Sequence, residues 1–324
     1  MPRVPPPVPT TDEAQNWGVE VWRGGVNTWE CDENGHMNVR FYVVKAMEAM
    51  AGLAAALGMP RAFAPNTNAT LMVREQHIRF RREAHPGAAV HIRGAVLEMG
   101  ETDARLLLVM YHSNTGEPAA TFQTVVSHVT RGSGRPFPWS NRTRERAGAL
   151  TAPLPDIAAA RSVDLSPFET GASLARADDL GLITLGAGTI LAHDCDVFGR
   201  MATEQFIGRV SDGISRITGH VRGQIRAAVA DYPERVGGAV LEYRLVQLAW
   251  PRAGDHVVLK SGLAGVTDRT QRMIHWMLDP YSGVVWGVAE AVAVTLDLDT
   301  RKIVPVSASA QAALKGIAVK GLTL

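Results

Sequence analysis

The chain has 324 residues, 46% of them hydrophobic, and 33 basic side chains stand against 32 acidic ones; this is the composition of an ordinary globular protein long enough for two domains. The near-neutral balance gives no reason to expect nucleic acid, and a complement of only two cysteines, Cys31 and Cys195, favours a reducing, cytoplasmic setting. The most apolar helical stretch, AMEAMAGLAAALGM, is interrupted by Glu48 and is far shorter than a bilayer requires, so no membrane span is expected.

The N-terminus, MPRVPPPVPT, lacks the apolar core of a signal peptide, and residues 1–16 are expected to form a flexible tail. A first domain is expected over residues 17–135. It opens with a strand in VEVWRGGVN and passes through the polar stretch WECDENGHMNVRFY, where Gly35 argues for a turn. A long helix follows, with Phe41, Val44, Met47 and Ala51 among its apolar residues. Strands are predicted in HIRFRRE, AVHIRGAVLEM, ARLLLVMYHS and PAATFQTVVSHV, separated by the turn signals HPG, GET and NTG. Residues 136–180, rich in Pro, Ala and charge, are expected to be a linker crossing the surface. A second domain over 181–310 begins with GLITLGAGTIL and again leads through a polar turn into one long helix, with Phe206, Val210, Ile214 and Ile217. Residues 311–324 are expected to be a C-terminal tail.

The two domains are copies of one another. ECDENGHMNVRFYVVKAME lies over DCDVFGRMATEQFIGRVSD at a constant offset of 164, pairing Cys31 with Cys195, Asp32 with Asp196, Gly35 with Gly199 and Met37 with Met201. After the helix the offset becomes 167 and then holds, pairing Glu75 with Glu242, Gly87 with Gly254, Arg105 with Arg272 and Gly116 with Gly283. One register kept over so many glycines and charges marks a duplication of one helix plus an antiparallel sheet.

These residues resemble a known family. A strand, then Asp-x-x-Gly-His-Met-Asn, then a helix opening with an aromatic, then four or five antiparallel strands, is similar to the hotdog-fold acyl thioesterases. The resemblance covers roughly residues 18 to 130 and 182 to 300. Asp32, Gly35 and Tyr42 are spaced as in the hydroxybenzoyl-CoA type, and Asp32, Asn34, His36 and Asn38 as in the acyl-carrier-protein type. It implies an α+β tandem hotdog, each copy a long helix wrapped by a curved antiparallel sheet. It also implies hydrolysis of an acyl-CoA or acyl-carrier-protein thioester in a cleft between the hotdogs. No cofactor is implied beyond the coenzyme A of the substrate, and a homodimer of double hotdogs is a compatible assembly. Two alternatives stay open: a noncatalytic acyl-CoA binding protein, and a hotdog hydratase or dehydratase.

Thioester hydrolysis needs attack on the carbonyl carbon and a donor for the oxyanion that develops. The resemblance implies that Asp32 is the general base or the nucleophile, with unpaired helix N–H groups around Asn38 to Val39 as oxyanion donors. The plainer reading of Asp32 is a cap or turn residue; its repeat partner Asp196 and the motif around both favour catalysis. His36 can orient or activate water, or simply bond to the turn backbone. Asn34 and Asn38 can orient water or the thioester oxygen, although Asn also belongs in turns and caps. The second copy has Phe198, Arg200 and Ala202 in place of Asn34, His36 and Asn38. This puts its catalytic competence in doubt and offers Arg200 as a holder of a carboxylate or phosphate. Glu48 and Asp212 are matched acids inside the helices, suited to a supporting role or a solvated edge. Tyr42 is the aromatic at the helix start, suited to substrate contact but more to packing. Each cysteine adjoins the aspartate, which disfavours a thiolate. Arg79, Arg81 and Arg82 could meet CoA phosphates or form the solvated face of a strand. No metal-ligand spacing occurs.

Overall fold

A computed structural model describes residues 17–230 and 232–324; the expected tail, 1–16, lies outside the described residues. The chain divides into two compact units, Met1–Val73 with Ile78–Ala159, and Arg74–His77 with Ala160–Leu324.

In the first unit, β1 (Val19–Gly25) leads through a 3-10 turn at Thr28–Glu30 into α1 (Val39–Ala56). Then come β2 (Ala69–Phe80), β3 (Ala89–Met99), β4 (Asp103–His112) and β5 (Pro118–Thr130), in spatial order β1-β3-β4-β5-β2. Helix α1 packs across β1, β3 and β4. At Gly52 an ideal Cβ would come within 2.3 Å of the Val21 carbonyl oxygen, so only glycine lets β1 approach this closely.

The second unit repeats the plan with β6 (Ile183–Thr189), a 3-10 turn at Ala192–Asp194, and the helices α4 (Glu204–Gly213) and α5 (Ser215–Ala228). Its strands β7 (Val236–Gln247), β8 (His256–Val266), β9 (Gln271–Leu278) and β10 (Val285–Asp297) run in the order β7-β10-β9-β8-β6. The register irregularities recur too. β1 slips between Glu20 and Trp22 and β6 between Thr184 and Gly186; β3 slips between Val96 and Glu98 and β8 between Leu263 and Gly265. Bulges are specific backbone devices, so their recurrence at the two sequence offsets confirms the duplication independently of side chains. A helix on an antiparallel sheet, twice, is the tandem hotdog expected.

Four expectations need correction. The second copy carries no single long helix: α4 ends at Gly213 and α5 restarts at Ser215, so the helix is interrupted at Ile214. The buried stripe of α1 is Tyr42, Val43, Ala46, Ala49, Met50, Leu53 and Ala54, whereas Phe41, Val44, Met47 and Ala51 are only partly buried. The helix is apolar on nearly every side, so periodicity alone did not select its face. The stretch 136–180 is no bare linker. It contains α2 (Asn141–Ala149) and α3 (Leu174–Asp179); it buries Ala158 against Leu107, Val109 and Tyr111 of the first unit and Ala172 and Ala177 against Trp276 of the second. Nor is 311–324 a loose tail, because α6 (Ala308–Ile317) occupies its start, while Leu322 and Leu324 join the Trp276 core and the Trp276 indole donates to the Thr323 carbonyl at 2.9 Å.

Candidate active site

The polar motif of the first unit is a tight turn closed on itself. Cys31 and Met37 bridge as an antiparallel pair, the Asp32 amide donates to the His36 carbonyl at 3.0 Å, and Gly35 takes φ 77°, a left-handed value that glycine adopts without strain. The turn folds the Asp32 carboxylate back over it. Oδ1 accepts the Asn34 amide at 2.9 Å, and Oδ2 lies 3.5 Å from His36 Nδ1. On its other side His36 Nε2 lies 3.8 Å from Glu83 Oε1, and His85 Nε2 lies 3.6 Å from Glu83 Oε2 while its Nδ1 donates to the Gly35 carbonyl at 2.9 Å. Two carboxylates and two imidazoles thus form a chain along the turn. The contacts to His36 are longer than a good hydrogen bond, so neither carboxylate grips the ring tightly. Burial pushes the Asp32 carboxyl above its ordinary value; the His36 ring and the Asn34 and His36 amides oppose this. The result is a stronger base than an exposed aspartate.

The same turn delivers the start of α1. Asn38 is the N-cap, its side chain accepting the Arg40 amide at 2.9 Å, and its own amide donates to the Glu30 carbonyl at 2.9 Å. Val39 is the first residue of the 18-residue helix, so its amide stands at the helix's positive end, where N–H groups have no intrahelical acceptor.

Two of the expected site residues lie elsewhere. Glu48 is exposed nine residues into α1, roughly 13 Å along the axis from Val39, and accepts the Trp22 indole N–H at 2.5 Å, so it braces β1 at a solvated edge. Tyr42 is buried edge-on to Phe80; its hydroxyl accepts the Ala84 amide at 3.1 Å and donates to the Arg82 carbonyl at 3.4 Å. It therefore fixes the segment that carries Glu83. Cys31 is a free thiol raised above its usual range by burial and then by Asp32, consistent with packing. Arg79 bonds to the carbonyls of Asp156 and Ala159, and Arg82 pairs with Glu117.

Sequence reasoning missed Glu83, His85 and a buried ion pair beneath the turn. Lys45 Nζ lies 2.7 Å from Glu30 Oε1, while Glu30 Oε2 accepts the Asn27 amide at 2.8 Å. The signal was available: at the offset of 164 stand Asp194 and Arg209, which pair at 3.1 Å.

In the second unit the backbone is the same and the chemistry differs. Gly199 has φ 73°, and the Asp196 amide donates to the Arg200 carbonyl at 2.7 Å. The Asp196 carboxylate, however, is consumed. Oδ1 accepts the amides of Phe198 and Arg200 at 2.8 and 3.0 Å, and Oδ2 accepts Arg200 Nε and Nη2 at 3.1 and 2.9 Å. Arg200 is buried and its guanidinium lies 4.9 Å from the Phe198 ring centre. Arg252 donates to the Phe198 carbonyl, and Trp250 and Arg252 stand where the first copy has Glu83 and His85. At the helix start Thr203 makes no side-chain cap bond. Among the described residues no group of His, Cys, Asp and Glu is arranged to hold a metal ion, and no helix is long and apolar enough to cross a membrane.

This fold, with an acid-bearing turn at a helix N-terminus in each copy, is that of the hotdog thioesterases. Residues 26–147 and 190–314 match the thioesterase-like superfamily, and the chain belongs to it. It is similar in structure to a Lactobacillus plantarum protein provisionally designated an oleoyl thioesterase (TM-score 0.64, 11% identity, covering 86% of this chain and 97% of that one). A 12:0-ACP thioesterase from Umbellularia californica (0.61, 11%, 84% and 92%) and an acyl-ACP thioesterase from Bacteroides thetaiotaomicron (0.59, 10%, 84% and 96%) are also similar. At these identities the likeness is one of fold. No curated protein matches the chain.

Proposed function

We propose that the protein hydrolyses acyl-CoA or acyl-carrier-protein thioesters, with the first unit's turn as the working site. Asp32, made more basic by burial, takes a proton from water as the water oxygen attacks the thioester carbonyl carbon. The Val39 amide and the N-terminal end of α1 receive the developing oxyanion. As the intermediate collapses the C–S bond breaks, the leaving thiolate takes up the proton that Asp32 received from water, and the acyl group departs as a carboxylic acid. His36 orients the attacking water between Asp32 and Glu83.

The observation that carries this reading is the contrast between the copies. Among the described residues the Asp32 carboxylate accepts backbone amides and has no side-chain partner nearer than the His36 ring at 3.5 Å, whereas the Asp196 carboxylate is also gripped by two N–H groups of one buried guanidinium. Held in that way, the Asp196 oxygens are occupied by donors and not turned toward an attacking water. The Asp196 turn, flanked by Arg200, Arg252 and the pair of Arg74 on Trp250 at 4.6 Å, is suited to an anionic part of the substrate. The test is release of free thiol from a panel of acyl-CoA and acyl-carrier-protein thioesters of graded chain length. Turnover of at least one class supports the reading, and binding without thiol release across the panel favours the noncatalytic alternative.

A further inference from the structure

The second turn has gained positive charge, which the loss of a working base does not require. Arg200 and Arg252 stand directly opposite one another on an antiparallel bridge, and beside them the Met201 amide donates to the Pro251 carbonyl at 2.7 Å. Paired positions share a face, and like charges placed there repel. Arg74, which belongs to the second compact unit, adds a third cation: its guanidinium lies 4.6 Å from the ring centre of Trp250, two residues before Arg252. Burial and the nearby Arg200 charge both pull the Arg74 guanidinium below its ordinary value. The repeat gives Arg74, Arg200, Trp250 and Arg252 the counterparts Leu241, His36, Glu83 and His85. All three guanidiniums are therefore peculiar to this turn, and one acid has been lost from it.

Two of these cations are built into the protein and the third faces solvent. Arg200 is buried with its guanidinium 4.9 Å from the Phe198 ring centre, Arg74 is half-buried on Trp250, and Arg252 is exposed. Stacking on an aromatic face fixes the plane of a guanidinium and leaves its edge for acceptors lying in that plane. Asp196 Oδ2 takes Nε and Nη2 of Arg200, which leaves Nη1. Arg252 Nη1 donates to the Phe198 carbonyl at a long 3.4 Å. Asp255 turns its carboxylate to the Arg252 amide at 2.7 Å. Three guanidiniums thus meet two carboxylates, one of them turned to backbone, and the group is open on the Arg252 side. What completes it is an anion with two or more oxygens, which can accept from more than one fork at once.

We propose that the second turn is a binding site for an oxyanion, a phosphate or carboxylate group held between the guanidiniums of Arg74, Arg200 and Arg252. The site is made of second-unit residues alone, and it rests on the hydrolase reading only for the source of the anion. Its test is calorimetric titration of the full chain with adenosine 3′,5′-bisphosphate, glutarate and uncharged adenosine. Wild type should bind at least one of the two anions and should bind adenosine at least tenfold more weakly than the bisphosphate, or not at all. Arg252→His, an exposed position given its counterpart's residue, should weaken anion binding at least tenfold, and so should Arg74→Leu. Arg235→Ala, which removes another exposed arginine of the same unit, should bind as wild type does. Binding of neither anion by wild type overturns the proposal, as does equal affinity for adenosine and the bisphosphate. So does an Arg252→His protein that binds like wild type. An equal loss in Arg235→Ala overturns it as well, because general charge attraction would then suffice. With binding established, the KM of Arg252→His for thioesters identifies the source of the anion. A rise for every CoA thioester identifies a phosphate of the carrier, and a rise only for acyl chains ending in a carboxylate identifies the acyl group. An unchanged KM identifies a separate small anion, and all three support the site. Absence of any thioester turnover would count against the hydrolase reading and leave the titrations standing.

Discussion

Replacing Lys45 with Met should destabilise the first unit by about 3 kcal/mol. The Lys45 and Glu30 side chains are 6% and 9% exposed and meet at 2.7 Å, so the pair is shielded from water. Methionine fills much the same space but leaves the Glu30 carboxylate buried with a single remaining donor, the Asn27 amide on its other oxygen. Removing one partner of a buried pair typically costs about 3–5 kcal/mol, and the retained amide places the effect at the lower end. For a unit of this size the loss corresponds to a fall in melting temperature of roughly 6–12 °C. Equilibrium urea unfolding followed by tryptophan fluorescence reads it well, because Lys45 lies 5.5 Å from the Trp22 ring centre. The double variant Glu30→Gln with Lys45→Met removes both charges and should recover most of the loss. A Lys45→Met protein within about 0.5 kcal/mol of wild type, or a double variant no more stable than the single, would refute the reasoning. The pair also bears on the site, since the Glu30 carbonyl holds the Asn38 amide at the start of α1.

Asn38→Ala removes the cap on the Arg40 amide and should cost about 1 kcal/mol by chemical denaturation, together with a fall in turnover as the Val39 amide loses its fixed aim. Tyr42→Phe strands the buried Ala84 amide and should cost about 1–3 kcal/mol; a melting temperature equal to wild type would show that the hydroxyl does not hold the Glu83 segment. The pH dependence of Asp32→Asn has a defined sign. Burial raises the Asp32 carboxyl in the folded protein, so its contribution to stability is complete below the ordinary value of 3.8 and is lost as pH rises through the folded value. Asparagine mimics the protonated acid, so the variant should unfold at higher urea than wild type at pH 7, with the gap closing toward pH 3. A variant less stable than wild type at neutral pH would contradict the assigned shift.

The turn motif and the duplication were legible because they rest on glycines, whose left-handed φ at Gly35 and Gly199 nothing else supplies without strain, and on a register that the bulges of β1 and β6 repeat. The face of α1 was not legible, since Val39, Phe41, Tyr42, Val43 and Val44 are all apolar and two stripes fit the period. Glu83 and His85 were hidden for a different reason. They lie in a strand-end stretch that reads as a basic run, and only the fold returns it to the turn at Gly35. The Glu30 and Lys45 pair was recoverable from the offset that also relates Asp194 to Arg209, although charges 15 residues apart carry no local signal. The roles of Leu322 and Leu324 were beyond reach, because isolated apolar residues at a chain end say nothing of the core they enter.

The central claim is that the first turn carries thioester hydrolysis and the second does not. One measurement decides it: the rate of thiol release by Asp32→Asn, Asp196→Asn and the double variant, compared with wild type on the best substrate of the panel, with folding confirmed. Loss of a general base predicts a fall of about a hundredfold or more, roughly 2.7 kcal/mol of barrier, for Asp32→Asn with substrate binding little changed. Asp196→Asn should keep most of the wild-type rate, and the double variant should match Asp32→Asn. If Asp196→Asn abolishes turnover while Asp32→Asn leaves it intact, the working site is in the other copy and the account is wrong.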